Sequence, residues 1–170
     1  MRSKKMTNKE DIKKLREKTG LGILECQKLL KEAGNDFGKA LEAAQKALKE
    51  TALKRGEKET KEGVIVSYIH PNRKIGVLLE LLCETDFVAK NKEFLELANN
   101  LAVHVAALAP EFLSVEDMPK NLSKEEKEAK ALLSQDYFKE PRKKVNQLIA
   151  EKIQKLGENI RVGRFVRYQL

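Results

Sequence analysis

The side chains best placed for chemistry in this 170-residue chain lie together in the run Glu84-Thr85-Asp86-Phe87-Val88, which we call the Asp-Phe turn. Two carboxylates separated by one residue could act as a general acid and a general base. At a turn, however, ionised side chains more often cap a helix or form a charged docking surface. The neighbouring aromatic ring would add an apolar contact to such a surface. The turn therefore indicates recognition of a partner rather than covalent catalysis.

Other reactive side chains are few and scattered along the sequence. Cys26 and Cys83 lie in apolar patterns without metal-ligand spacing, so we expect two reduced, buried thiols. His70 and His104 form no pattern with either cysteine, and His104 falls at the edge of an apolar helical stripe, where we expect a core-edge position. The sequence has no Gly-rich phosphate loop, metal-ligand cluster or cofactor motif. We therefore predict no catalytic residue, no metal and no cofactor.

Two segments of different periodicity must position the Asp-Phe turn. Residues 75–83 are almost continuously apolar, as in a buried strand, and apolar residues recur at helical spacing over 94–108. The turn thus joins a strand to a helix, and such a scaffold can present a charge and a ring rigidly to a partner. A purely structural alternative stays open. Thr85 or Asn91 would cap the helix, the acid would complement its dipole, and Phe87 would fold back into the core.

The N-terminal part is predicted to form three short helices. Thr7 and Glu10 match a capping box, and the Gly-rich segment 20–22 separates the first helix from the second. Core-facing stripes at helical spacing follow in the second helix and again from about Asp36. Residues 7–50 therefore predict a compact three-helix bundle of the ubiquitin-associated type.

The second helix of this bundle has an apolar side chain directed away from the core. At about 100° per residue, Leu24 projects nearly opposite the core-facing stripe of residues 26–33, and Ile23 flanks that stripe. A single exposed leucine is normal at a protein surface. Two adjacent apolar residues at a helix start, beside glycines that let a partner approach closely, favour a docking surface.

The whole chain is predicted to be an α+β protein in which the helical bundle precedes a core domain. The expected division is a bundle over residues 1–50, a charged linker over 51–62 and a core over 63–170. The middle segment has little to bury, and it could instead extend the third helix to near Gly56.

A small antiparallel sheet packed on helices is expected to form the core domain. Strands are predicted over residues 64–70, 75–83 and 159–168, the last with a bulge at Gly163. Helices are predicted over 91–109, 123–135 and 141–156. Because the second strand is apolar on both sides, helices cover one face of the sheet and the other face needs a second cover.

Charge and hydropathy limit the classes of partner. The net charge of +8 and pI of about 9.4 would suit a nucleic acid or an acidic protein. The 34 basic residues are interleaved with 26 acidic ones, without a basic stripe that includes aromatics, so we expect no direct nucleic-acid binding. No segment approaches the roughly 18 apolar residues of a membrane helix, and the N-terminus has no apolar signal region. A cytoplasmic protein without membrane contact is expected.

Three blocks of the sequence resemble the elongation factor Ts family. They are residues 15–28, the Asp-Phe turn and the Gly-Glu-Asn-Ile block at 157–160, in the family's order and spread over nearly the whole chain. The resemblance implies a guanine nucleotide exchange factor that binds elongation factor Tu, displaces Mg²⁺ and GDP, and lets GTP bind. Because the sequence has no phosphate loop and no catalytic motif, we expect no enzyme activity and no nucleotide site on this chain.

The resemblance also implies which side chains contact the GTPase. Positions that match the family's contacts are Arg16, Ile23, Leu24, His70, Thr85, Asp86, Phe87, Val88 and Leu156. Many members carry methionines where this chain has Ile23 and Leu24, so the apolar character is kept without the adaptable packing of methionine.

One departure from the family pattern predicts a homodimer. Longer members contain two related core halves, whereas this chain has one hairpin and one Asp-Phe turn. A single sheet with an apolar second face and open edges needs a cover, which a second copy would supply. The expected assembly with the GTPase is two-plus-two.

Two other classes of protein stay open from the residues alone. A helical nucleic-acid or ribosome-associated protein would explain the charge, and a ubiquitin-associated adaptor would explain residues 7–50. Neither explains the Asp-Phe turn or the second domain.

Overall fold

A computed structural model describes residues 9–170, so the predicted cap residue Thr7 lies outside the described residues. Within them the chain is a mixed α+β protein, with helices at its N-terminus and a sheet-containing core after them. The helices are α1 Lys9–Thr19, α2 Ile23–Glu32, α3 Phe37–Gly56, α4 Asp86–Ala89, α5 Lys92–Leu108, α6 Lys124–Lys130 and α7 Val145–Leu156. The strands are β1 Glu62–Ile69, β2 Ile75–Cys83, β3 Asp136–Tyr137, β4 Glu140–Lys144 and β5 Arg161–Gln169.

The first three helices enclose a hydrophobic core of their own. Asp36 caps α3 by accepting a hydrogen bond from the Lys39 amide at 3.1 Å. The buried side chains are Leu15, Leu21, Cys26, Leu30, Ala40, Ala44 and Leu48. Beyond this core α3 continues to Gly56 and packs against α7, so the charged segment after residue 50 begins as helix.

The main sheet has the strand order β1-β2-β5, with both neighbouring pairs antiparallel. Its inner face packs on α5 through alternate residues of β2, namely Val77, Leu79, Leu81 and Cys83. Leu79 pairs with Phe165 and Leu81 with Val162, so β5 has one extra residue opposite Glu80. The predicted bulge at Gly163 is confirmed. A Cβ there would approach the Glu80 carboxylate to 2.7 Å and the Leu82 Cδ1 to 3.0 Å, so these side chains would have to shift to accommodate it.

Two predicted helices are wrong in extent. The helix expected over 123–135 has the predicted Ser123–Glu126 capping box but ends at Lys130. Ala131 is extended and bridges to Phe112, and the buried Leu132 begins a 3₁₀ turn. The helix expected from Pro141 begins instead at Val145, the first apolar residue after 140–144. Those preceding residues form β4, which pairs with β3 in a second small sheet that was not predicted.

His104 is fully buried, so its predicted core-edge position is wrong. Its Nε2 lies 3.0 Å from the Gln135 side-chain oxygen, and its Nδ1 accepts the Phe138 amide at 3.4 Å. Its ring also stacks on Tyr137. Burial lowers the pKa of His104, which keeps the imidazole neutral.

Some classes of site can be tested across the described part of the chain. None of its helices is long and apolar enough to cross a membrane. Within the same residues, no group of three or more His, Cys, Asp or Glu side chains is arranged to hold a metal ion. Both cysteines are buried and unpaired with each other, and burial raises the pKa of the Cys83 thiol to about 11.

Candidate partner-binding site

The Asp-Phe turn forms a one-turn helix, α4, between β2 and α5. Thr85 caps it by accepting the Val88 amide at 3.4 Å, and Asn91 caps α5 by accepting the Glu93 amide at 2.8 Å. Val88 and Ala89 are buried and anchor the turn from below. Both caps of the structural alternative are therefore present, but they leave the outer side of the turn free.

Phe87 lies on that outer side with 80% of its surface exposed. The alternative in which its ring folds back into the core is therefore wrong. Burial of a Phe side chain stabilises a fold by about 1.5–3 kcal/mol, and the exposed Phe87 side chain does not contribute this stabilisation. A single exposed apolar side chain is normal at a protein surface, so this exposure leaves the ring accessible to a partner without by itself identifying a contact.

Asp86 begins α4 and forms an ion pair with Lys90 one turn later, at 2.7 Å between Oδ2 and Nζ. The Lys90 hydrogen bond lowers the pKa of Asp86, so the carboxylate is ionised at neutral pH. Both side chains are exposed, and exposed pairs of this kind contribute little to stability. A partner can therefore take over either charge at small cost.

The Asp-Phe turn is bound from its other side by the Gly-Glu-Asn-Ile block. Glu158 accepts hydrogen bonds from the amides of Glu84 at 3.2 Å and Thr85 at 3.0 Å, and from the Thr85 hydroxyl at 2.6 Å. In return the Glu84 carboxylate accepts the Asn159 amide at 2.6 Å, and this bond is the main cause of the lowered pKa of Glu84. The Glu158 and Glu84 carboxylates thus hold the Asp-Phe turn and the 157–160 block together, and we call these hydrogen bonds the clasp.

The same block also binds the end of the long bundle helix. Arg55 donates to the Gly157 carbonyl, and the Asn159 side chain donates to the Lys58 carbonyl at 2.8 Å. Lys58 in turn pairs with Glu84 at 3.2 Å. The bundle helix, the Asp-Phe turn and the 157–160 block therefore meet at one junction. Sequence reasoning did not assign these contacts, because their partners are about a hundred residues apart in the cases of Arg55 and Asn159.

A second exposed surface lies at the start of α2. Leu24 is 81% exposed, as its helical phase predicts, and Ile23, which flanks the core-facing stripe, is 54% exposed. Arg16 is exposed near the end of α1. The helices α1 and α2 pack chiefly on each other and on α3, so this surface belongs to the bundle and the Asp-Phe turn to the core.

The remaining predicted contacts are more enclosed. His70 lies at the end of β1, where its amide donates to the Ile75 carbonyl at 2.9 Å and its Nδ1 lies 3.0 Å from the Tyr68 hydroxyl. Leu156 ends α7 and packs partly on the core, directly before the left-handed Gly157. Val88, as noted, is buried, so its side chain supports the turn rather than extending its surface.

Comparison with known proteins places this geometry in context. The family model described as Elongation factor TS matches residues 7–131. The chain is similar to proteins named elongation factor Ts from Thermodesulfovibrio yellowstonii, at 43% identity, and from Thermotoga petrophila, at 46% identity, each over 94% of both chains. It is also 40% identical to the protein of that name from Thermosipho melanesiensis, over 92% of this chain and 95% of the relative.

Proposed function

The chain belongs to the elongation factor Ts family, and we propose that it uses the exposed Asp-Phe turn and the start of α2 as two separate grips on its GTPase. As a member of this family it is a guanine nucleotide exchange factor for elongation factor Tu in translation elongation. The observation that supports the proposal best is Phe87, which stands 80% exposed on a capped helix turn.

The turn acts as a wedge at the nucleotide site of the partner. In a P-loop GTPase, backbone amides and Mg²⁺ hold the nucleotide phosphates. An inserted ring displaces elements on the metal side, and the Asp86 carboxylate exchanges Lys90 for polar groups of the GTPase. Both effects weaken the binding of Mg²⁺ and of GDP to the GTPase, so GDP leaves and GTP can bind. Thr85 and Val88 fix the wedge through its cap and its buried anchor.

One ring cannot supply all the free energy that exchange needs. A ten-thousand-fold loss of nucleotide affinity requires about 5.5 kcal/mol of coupling, whereas burial of one Phe supplies about 1.5–3 kcal/mol. The bundle surface of Arg16, Ile23 and Leu24 therefore grips the nucleotide domain of the GTPase. His70 and Leu156 add contacts from the core. By reciprocity, bound nucleotide weakens the complex by the same factor, which makes the cycle reversible.

The proposed chemistry needs no reacting group on this chain. The protein catalyses no covalent step, takes no cofactor or metal of its own, and makes no direct contact with nucleic acid. Because translation elongation is the process it serves, we place its action in the cytoplasm.

A second copy of the chain is proposed as the cover of the outer sheet face. That face carries a row of exposed apolar side chains from all three strands, namely Ile65, Ile69, Leu78, Val166 and Tyr168. Such a patch on a three-stranded sheet is typical of an interface. Twofold pairing of equivalent faces would join two cores and give a two-plus-two complex with the GTPase. An obligate interface of this kind buries on the order of 2,000 Å² or more.

The test of the function is release of a fluorescent GDP analogue from elongation factor Tu. We expect the wild-type chain to accelerate release and to form a complex that excess GDP dissociates. A chain that leaves the release rate unchanged at saturating concentration would contradict the proposal. A steep salt dependence of binding to RNA would instead favour the nucleic-acid class.

A further inference from the structure

The Asp-Phe turn is too short to hold its own conformation. The helix α4 has four residues, and an isolated helix of this length is unstable in water. Val88 and Ala89 anchor its inner side, but Thr85 and Asp86, which lead into Phe87, are exposed, and Glu84 is half-buried. The Cys83 thiol donates to the Thr85 carbonyl at 3.2 Å from within β2, and Glu158 is the side chain from a distant part of the chain that binds the backbone at residues 84 and 85.

The Glu158 carboxylate uses both of its oxygens on this short stretch. One oxygen accepts the amides of Glu84 and Thr85, and the other accepts the Thr85 hydroxyl. Two of these three donors belong to the backbone, so the contact constrains the chain itself rather than one side chain. Hydrogen bonds to an ionised acceptor are also stronger than those between neutral groups.

The reverse contact makes this arrangement a closed clasp. Glu84 accepts the Asn159 amide at 2.6 Å, next to the residue that binds its own amide. Lys58, which follows the bundle helix, pairs with Glu84 from outside. The backbone that leads into Phe87 is thus bound by the block at 157–160 as well as by β2.

We propose that Glu158 is a positioning residue for nucleotide exchange, which holds Phe87 at the angle at which its ring enters the GTPase. This inference rests on the proposed role of Phe87. Glu158 itself is engaged with the turn and need not touch the partner. Its removal should therefore leave the α2 grip intact and lower the rate within the complex, because misplacement of a reacting or wedging group by about 1 Å can cost on the order of a hundredfold.

Exchange kinetics can separate positioning from binding and from folding. Release of fluorescent GDP from elongation factor Tu would be followed by stopped flow over a range of factor concentrations. Glu158→Ala removes the clasp, while Glu158→Gln keeps one acceptor oxygen for the two amides and an amide group that can donate to the Thr85 hydroxyl. Glu126→Ala is the matched control, since this carboxylate also accepts a backbone amide, that of Ser123, but at the start of α6.

We expect Glu158→Ala to lower the maximal release rate about tenfold or more, the loss that corresponds to one charge-assisted hydrogen bond. The half-saturating concentration should change less than about twofold, and Glu158→Gln should recover the rate to within about threefold. Glu126→Ala should match wild type in both values.

Three results would overturn the positioning role. They are an unchanged maximal rate in folded Glu158→Ala, a rise in half-saturating concentration alone, and a rate loss that equals the unfolded fraction by circular dichroism. If Glu158→Ala does not fold, Glu158→Asp decides, because it keeps the charge but is one methylene too short for the clasp; an unchanged rate in that variant also refutes the role. Phe87→Ala distinguishes failure of the proposed function from failure of the positioning inference. If it exchanges like wild type, the proposed function of the wedge fails; if it is slow while Glu158→Ala is normal, only the positioning inference fails.

Discussion

Replacement of Phe87 by alanine separates the function of the Asp-Phe turn from its structure. The side chain is 80% exposed and contributes little to the folded core, so the free energy of unfolding should change by less than about 0.5 kcal/mol. In the proposed complex with elongation factor Tu, we expect the same ring to be buried. Its loss should remove about 1.5–3 kcal/mol from the coupling that expels GDP.

That free energy converts directly into an exchange rate. At about 1.36 kcal/mol per tenfold change, the maximal release rate of fluorescent GDP should fall by roughly 10- to 150-fold. Phe87→Leu, which keeps an apolar side chain, should recover part of the rate. Phe94→Ala is the structural counterpart, since that ring is fully buried in the core and its truncation should cost about 3–5 kcal/mol of stability.

Phe87 has no separate functional role if the two phenylalanine variants behave alike. A large drop in the melting temperature of Phe87→Ala, with unchanged exchange per folded molecule, would show that the ring stabilises the fold and does not act on the GTPase. The measurement requires the thermal melt and the exchange assay on the same preparation.

The other predictions concern the bundle, the sheet and the core. Leu24→Ser should weaken binding to elongation factor Tu in a titration while changing stability by within about 0.5 kcal/mol, because the side chain is 81% exposed; unfolding of the bundle would show that the assigned helical phase is wrong. Ile65→Lys, on the outer sheet face, should convert a dimer into a monomer of 19.3 kDa in light scattering, and a wild-type mass already at that value with full exchange activity would exclude the dimer. Burial lowers the pKa of His104 in the folded chain, so the unfolded chain binds the extra proton. The contribution of neutral His104 to the free energy of unfolding should therefore be present above about pH 6.5 and decline as the pH falls below that value. In urea titrations, the free energy of unfolding should fall less for His104→Gln than for wild type between about pH 7 and pH 5.5.

Periodicity was sufficient to locate the Asp-Phe turn between a strand and a helix. The change from a continuous apolar strand to helical spacing placed Asp86 and Phe87 at a junction, and the phase of α2 predicted the exposure of Leu24. These predictions succeeded because each depends on neighbours within a few residues. The end of α6 was harder to predict than its start. The segment 124–130 is highly charged and buries nothing, so its helix ends where Ala131 finds a bridge to Phe112.

The clasp at Glu158 could not be predicted in the same way. Its partners in the turn lie 73 and 74 residues away, and hydrogen bonds between loops leave no repeat in the sequence. The strands β3 and β4 were missed for a related reason, since residues 136–144 have no alternation of apolar and polar side chains and include Pro141. Long-range contacts become visible only when the chain is folded.

Because α3 is continuous, it fixes the rotation of the helical bundle relative to the core. This helix of 20 residues, about 30 Å long, starts in the bundle and is held at its far end by Gly157 and α7. One residue inserted in its middle would turn the bundle by about 100° and advance it by about 1.5 Å. Leu24 would then face another direction while Phe87 stayed in place. The length of α3 therefore sets the direction of Leu24 relative to Phe87. Insertions or deletions in α3 preserve that direction only when they add or remove close to a whole number of helical turns.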